Sequence, residues 1–202
     1  MNEILNKIIE DINKIKVIDV KEEKIDTNTN FIAIKRGSYL LNNGHTIIRE
    51  GLTKKEGLGE TVCIFATTSD KKILIVIQPR ASLETGTRVN IELPAGYLEK
   101  GENIEEAGAR ELTEETGYTS NNIIVLDTYY PALGCSGEKM NLLLALDCYK
   151  ISEQKLDSDE FVYYEEVTIE EFEYLLNNGY IKDANARIGY YRYLEYLMKE
   201  GS

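Results

Sequence analysis

Between Gly96 and Tyr118 the chain reads GYLEKGENIEEAGARELTEETGY, and no other stretch restricts its structure as tightly. The spacing predicts a helix from Ile104 to Thr116, closed by Gly117 at a position suited to a left-handed cap. On that helix Glu111, Glu114 and Glu115 stand at i, i+3 and i+4, so they share one face. Like charges gathered on one face are unfavourable unless a cation sits among them. Hard divalent cations take oxygen ligands and keep several waters, which leaves room for substrate phosphates. The cluster is therefore read as a metal site.

Taken alone, a glutamate-rich helical run is usually a solvated face. Here it sits inside a longer pattern: Gly96, five residues, Glu102, seven residues, then Arg110-Glu111-Leu112-x-Glu114-Glu115-x-Gly117. With Tyr118 these are nine specified positions at fixed spacing. The segment resembles the Nudix box, the mark of the Nudix hydrolases. Tyr118 stands where that pattern usually has an aliphatic residue, and a tyrosine fills an apolar site when its hydroxyl finds a partner.

The 202 residues are enough for one domain of good size with a small appendage, and 43% hydrophobic with 29% charged residues is ordinary globular composition. The longest apolar runs, such as Ile73–Ile77, are too short to cross a bilayer, so no membrane partner is expected. The first residues mix acids with apolar positions and do not resemble a secretory signal. Cys63, Cys135 and Cys148 are odd in number and scattered, which points to a reducing cytoplasm and away from zinc or disulfides. A formal net charge of −12 argues against nucleic acid as a partner. It also means that a phosphate-bearing substrate needs metal and placed arginines to supply local positive potential. His45 is the only histidine, and it lies in the turn signal Asn42-Asn43-Gly44-His45.

Residues 3–15 show helical periodicity, and Lys16–Val20, Phe31–Leu41 and His45–Gly51 read as a small antiparallel sheet with turns at Asn28–Asn30 and Asn42–Gly44. That sheet is too small to hold a core alone. It follows that residues 1–55 form an appendage that packs on the rest of the chain or on another subunit; a resemblance of the small sheet to the N-terminal part of the family's dimeric pyrophosphatases implies a dimerisation element. Residues 56–202 form the catalytic domain. In this domain, 61–67 and 73–78 read as a hairpin of buried strands, and Asn90–Leu93 as a short strand stopped by Pro94. Ile123–Tyr130, Asn141–Tyr149 and Phe161–Val167 are further strands. Thr168–Asn177 is a helix with capping-box spacing between Thr168 and Glu171, and Asn185–Lys199 a final helix. A mixed sheet flanked by helices is the simplest α/β architecture, and the Nudix resemblance narrows it to an α/β/α sandwich with a small N-terminal antiparallel β appendage.

From about Asn42 to Ala186 the chain resembles the ADP-ribose pyrophosphatase branch of the Nudix family, through Gln78-Pro79-Arg80, Glu92-Leu93-Pro94-Ala95-Gly96, the box, Gly134–Lys139 and Asn178–Ala184. The resemblance implies Glu111 and Glu115 as principal metal ligands, Glu114 as a further ligand or a water-mediated contact, and the Ala95 carbonyl as a main-chain ligand for Mg²⁺, with Mn²⁺ as the alternative. Arg110 and Glu102 would support the site, Arg110 by holding carboxylates bidentately. Glu138, on a glycine-containing loop able to move over substrate, would assist the attacking water. Arg80, Glu92 and Gly96 would face the substrate: Arg80 by gripping phosphates, Glu92 by a hydrogen bond to base or ribose. The implied reaction is Mg²⁺-dependent hydrolysis of a nucleoside diphosphate sugar, ADP-ribose first, to AMP and ribose 5-phosphate by a homodimer. Leu133 stands where that branch carries a proline, sixteen residues after Gly117, so nucleoside triphosphates or another dinucleotide are alternative substrates; a non-catalytic nucleotide-sugar sensor is the remaining one.

Overall fold

The computed structural model describes residues 17–25, 32–54, 59–84, 88–156, 158 and 160–200. The helical run expected at 3–15 and the turn at Asn28–Asn30 lie outside them. The chain divides into two units, Met1–Glu56 with Ala132–Gly137, and Gly57–Pro131 with Glu138–Ser202.

In the first unit β1 (Val17–Ile25), β2 (Ile32–Leu41) and β3 (Thr46–Lys54) form an antiparallel sheet in that order. The β2–β3 turn is the one expected: Gly44 has φ +85° and the His45 N–H donates to the Asn43 side chain at 3.0 Å. His45 is an exposed turn residue. Register places Ile34 opposite both Ile25 and Leu52, and Ser38 opposite Ile48. With a side-chain period of two, Ile25, Ile48 and Leu52 therefore share a face, and all three are exposed. The segment Ala132–Gly137 joins this sheet, the Leu52 N–H donating to the Cys135 carbonyl at 2.6 Å.

The second unit is a mixed sheet covered by helices. Its strands are β4 (Glu60–Thr68), β5 (Ile73–Pro79), β6 (Val89–Glu92), β7 (Ala95–Tyr97), β8 (Tyr118–Thr119), β9 (Asn122–Tyr129), β10 (Lys139–Lys150) and β11 (Tyr163–Val167). Its helices are α1 (Ile104–Thr116), α2 (Ile169–Asn177) and α3 (Ala184–Glu200). The order is β11-β5-β4-β10-β8, with β6 on β5, β7 on β4 and β9 on β10. At the centre β4 and β10 run parallel, Ile64 opposite Leu143 and Phe65 opposite Leu144. Strands buried on both faces read as unbroken apolar runs rather than alternations. Here Cys63, Phe65, Leu142 and Leu144 pack against Phe172 and Leu176 of α2 and Tyr190 and Tyr193 of α3. Val62, Ile64, Leu143 and Ala145 pack on the other side with Ala107 and Leu112 of α1. This is the expected α/β/α sandwich.

Two local expectations change. The β4–β5 hairpin pairs only at Thr67 and Ile73. Beyond the turn, where Lys71 has φ +63°, β4 turns to β10 and β7, and β5 to β6 and β11. Distant packing chooses those neighbours. The strands β7 and β8, three and two residues long, are too short to show a period.

Candidate active site

Helix α1 begins at a capping box: the Asn103 side chain accepts from the Glu106 N–H while Glu106 accepts from the Asn103 N–H, which satisfies donors the helix cannot satisfy itself. It ends at Gly117, with φ +77° and its N–H donated to the Thr113 carbonyl. A Cβ there would lie 2.1 Å from the Ser152 carbonyl oxygen, so both the turn and the close approach require glycine. Ala107 and Leu112 take the core-facing side of the helix. Glu111, Glu114 and Glu115 then line one wall of a cavity of about 400 Å³, with Ala95 and Gly96 of β7 and the side chains of Arg80, Arg110, Lys155 and Glu160 around them.

Arg110 organises this wall. Its Nε and Nη2 donate to Glu102 at 2.9 and 3.0 Å, and Nη2 also donates to the Tyr97 carbonyl at 2.8 Å. Its Nη1 bridges Glu111 at 2.8 Å and Glu114 at 3.0 Å. The guanidinium holds the Glu102 carboxyl below the usual carboxylate range. Burial pushes the Glu111 carboxyl upward, against the opposing pull of Arg110. Glycine at position 96 makes room for this carboxylate, because a Cβ there would lie 2.0 Å from the Glu111 carboxyl carbon.

Glu115 is different. It is 4% exposed, and its carboxylate accepts one hydrogen bond among the described residues, from the Ala95 N–H at 3.0 Å. Burial is the main cause that pushes its pKa up to about 8, with the neighbouring charges of Glu111 and Glu160 adding to it. No three Asp, Glu, His or Cys side chains among the described residues converge tightly enough to hold an ion. Glu111 and Glu114 hang on Arg110 while Glu115 hangs on β7. The donor set nevertheless fits a hard cation. It is all oxygen, it lines one cavity, and its most buried member lacks a cationic hydrogen-bond partner.

Of the residues singled out by sequence, Ala95, Gly96, Arg110, Glu111, Glu114, Glu115 and Arg80 line the cavity, and Glu102 reaches it through Arg110. Glu92 is nearly buried behind Arg80, its two oxygens taking the Arg80 Nε at 2.8 Å and Nη2 at 2.5 Å. Glu138 is absent from the lining. Lys155 and Glu160 are in it and were not anticipated. They follow β10 in a segment fastened to the end of α1, the Lys155 N–H donating to the Glu114 carbonyl at 2.8 Å and the Gln154 amide to the Glu115 carbonyl at 2.5 Å. No local pattern marks them; only the fold brings them to the helix.

A model of the NUDIX domain matches residues 57–187. An ADP-ribose pyrophosphatase of Bacillus subtilis (strain 168) is 39% identical over 145 residues, covering 71% of this chain and 75% of that protein. A methanol dehydrogenase activator of Bacillus methanolicus is 37% identical over 132 residues, covering 65% of this chain and 68% of that protein. Among solved structures, an ADP compounds hydrolase has the same fold, with a TM-score of 0.75 at 22% identity over 93% of this chain and 96% of that one. With the domain model matching well over half of the chain and a relative 39% identical over 71% of it, the chain belongs to the Nudix family.

Proposed function

We propose that the protein hydrolyses the pyrophosphate bond of a nucleoside diphosphate sugar, with ADP-ribose as substrate, to AMP and ribose 5-phosphate. The reading takes Mg²⁺ as the required cation and Mn²⁺ as a substitute. The observation that carries it is the cavity wall where Glu111, Glu114 and Glu115 of α1 meet Arg80 and Lys155. The choice of ADP-ribose is supported by the Bacillus subtilis relative named for that activity. Leu133 in place of the branch's proline is the feature that a substrate panel must weigh.

A pyrophosphate linkage repels a nucleophile because its oxygens carry negative charge, and this protein's net charge of −12 adds to the repulsion. Glu111, Glu114, Glu115 and the Ala95 carbonyl would hold the divalent cation, which when bound neutralises phosphate oxygens and lowers the pKa of an attacking water. Arg110, itself held by Glu102, orients two of those carboxylates. Arg80 and Lys155 would bind the diphosphate oxygens. For proton removal the cavity offers Glu160, which lines it, whereas Glu138 stands outside the lining. The family resemblance implies Glu138 for this role; we assign it to Glu160. No covalent intermediate is needed.

Incubating the protein with ADP-ribose and Mg²⁺ and identifying products by mass tests the reading, in a panel that includes nucleoside triphosphates. AMP release that collapses in Glu115→Gln, with the thermal transition intact, is the expected result. Unchanged turnover in that variant would sink the metal site. Glu160→Gln and Glu138→Gln side by side decide the base, the larger loss of kcat being expected for Glu160→Gln.

The protein is further read as a cytoplasmic homodimer. Its first unit carries an exposed apolar sheet face, with Ile48 at 58% and Leu52 at 46% exposure, which is the kind of surface that partners cover. No helix among the described residues is long and apolar enough to cross a membrane. Sedimentation at micromolar concentration is expected to give a dimer that Ile48→Glu dissociates, and a wild-type monomer would overturn the assignment.

A further inference from the structure

Side chains two apart on a strand point the same way, and on β6 this brings Asn90 and Glu92 to one side, at 5% and 9% exposure. A buried carboxylate needs partners. Those of Glu92 are the Arg80 Nε and Nη2, the Gln78 amide at 3.3 Å and the Asn90 amide at 3.1 Å. Asn90 is fully engaged as well: its amide also reaches Asp183 at 3.4 Å, and its oxygen accepts from the Lys182 N–H at 3.1 Å. The second oxygen of Asp183 accepts from the Ala186 N–H at the start of α3, at 2.9 Å. A continuous hydrogen-bonded chain therefore runs from α3 through Asp183, Asn90 and Glu92 to Arg80 at the cavity.

We infer that Glu92 and Asn90 are positioning residues, which act on the substrate through Arg80 by aiming its guanidinium at the diphosphate; this rests on the hydrolase reading above. The Arg80 side chain is 46% exposed, and its hydrogen bonds among the described residues all run from Nε and Nη2 to Glu92. One edge of the fork is thus clamped by a buried carboxylate, and Nη1 remains to meet a phosphate oxygen. A free arginine loses rotamer entropy when it is fixed. Clamping it beforehand removes part of that loss from the binding step. Glu92 is poorly placed to touch base or ribose itself, because both its oxygens are taken and it is nearly buried.

A double-mutant cycle with ADP-ribose and Mg²⁺ tests this. Glu92→Gln keeps the side-chain volume and is expected to raise KM about tenfold with kcat changed less than about twofold. In an Arg80→Ala background the same substitution should change KM less than about twofold, because residues that work through one partner are not additive. Asn90→Ser should show the same non-additivity at smaller size, and it serves where Glu92→Gln fails to fold, since it leaves the ion pair in place. Additive effects, or a loss confined to kcat, overturn the inference. If the wild-type protein releases no AMP from ADP-ribose, the hydrolase reading falls. The positioning role is then decided by calorimetric titration of ADP through the same cycle, and additive changes or an absence of ADP binding would refute it.

Discussion

Arg110 and Arg80 line the same cavity and are each gripped by a glutamate, yet they are held in different ways. Arg110 has 23% of its side chain exposed, and its fork is shared among Glu102, Glu111, Glu114 and the Tyr97 carbonyl. Arg80 is twice as exposed, and among the described residues its side chain hydrogen-bonds to Glu92 alone. Planar bidentate geometry serves both. An arginine whose donors all meet protein fixes the shape of the acidic wall, whereas one clamped along a single edge keeps donors for a ligand. The same residue type therefore does scaffolding at one rim and recognition at the other.

The same conservative substitution at both arginines should separate these roles. A lysine offers one compact ammonium and cannot serve four acceptors spread around Arg110. Arg110→Lys is expected to lower kcat about 10–100-fold, as losses around a metal site do. It should also cost about 2 kcal/mol of stability, less than the roughly 3–5 kcal/mol of a fully buried pair because part of this side chain meets water. Thermal melting together with steady-state kinetics checks both effects, and an Arg110→Lys protein with normal kcat would break the comparison. Gly96→Ala attacks the same wall from β7. The added Cβ must displace the Glu111 carboxylate, so kcat is expected to fall by more than about tenfold, alongside a stability loss of about 1–3 kcal/mol typical of overpacking. Arg80→Lys should instead raise KM about tenfold at nearly constant kcat and melting temperature. If Arg80→Lys lowers kcat as Arg110→Lys does, the two rims are not distinct.

The scaffolding rim was far more legible in sequence than the recognition rim. Glu102, Arg110, Glu111, Glu114 and Glu115 lie within fourteen residues; helix periodicity predicts the shared face of Glu111, Glu114 and Glu115, and the fixed spacing of the family pattern adds Glu102 and Arg110. Gly117 and the Thr168–Glu171 capping box mark helix ends that the structure places where the sequence puts them. The buried runs of β4 and β10 identified core strands, but hydrophobicity carries no record of which strand lies beside which, and so the parallel β4–β10 pairing was not readable. The Arg80–Glu92 clamp depends on β5 and β6 pairing so that Gln78 faces Asn90. Asp183 enters from a turn 93 residues after Asn90. Lys155 and Glu160 reach the cavity because their segment folds back on the end of α1, and no spacing rule connects them to it.

Glu115 sharpens the contrast, because neither arginine hydrogen-bonds its carboxylate. With its folded pKa raised from 4.5 to about 8, the native state binds more protons than the unfolded chain between those two values. Stability then falls as pH rises through that window. In chelator the melting temperature of the wild-type protein should therefore drop by a few degrees between pH 5 and pH 8.5, a range that spans the raised value. Glu115→Gln has no proton to lose there and should show a shallower slope. A divalent cation placed against the ionised carboxylate supplies the direct contact with positive charge that neither arginine makes, so adding Mg²⁺ at pH 8.5 should recover most of the wild-type loss and little in the variant. A wild-type melting temperature that stays flat or rises across this range in chelator would show that Glu115 is already compensated, which removes the contrast with the carboxylates on Arg110.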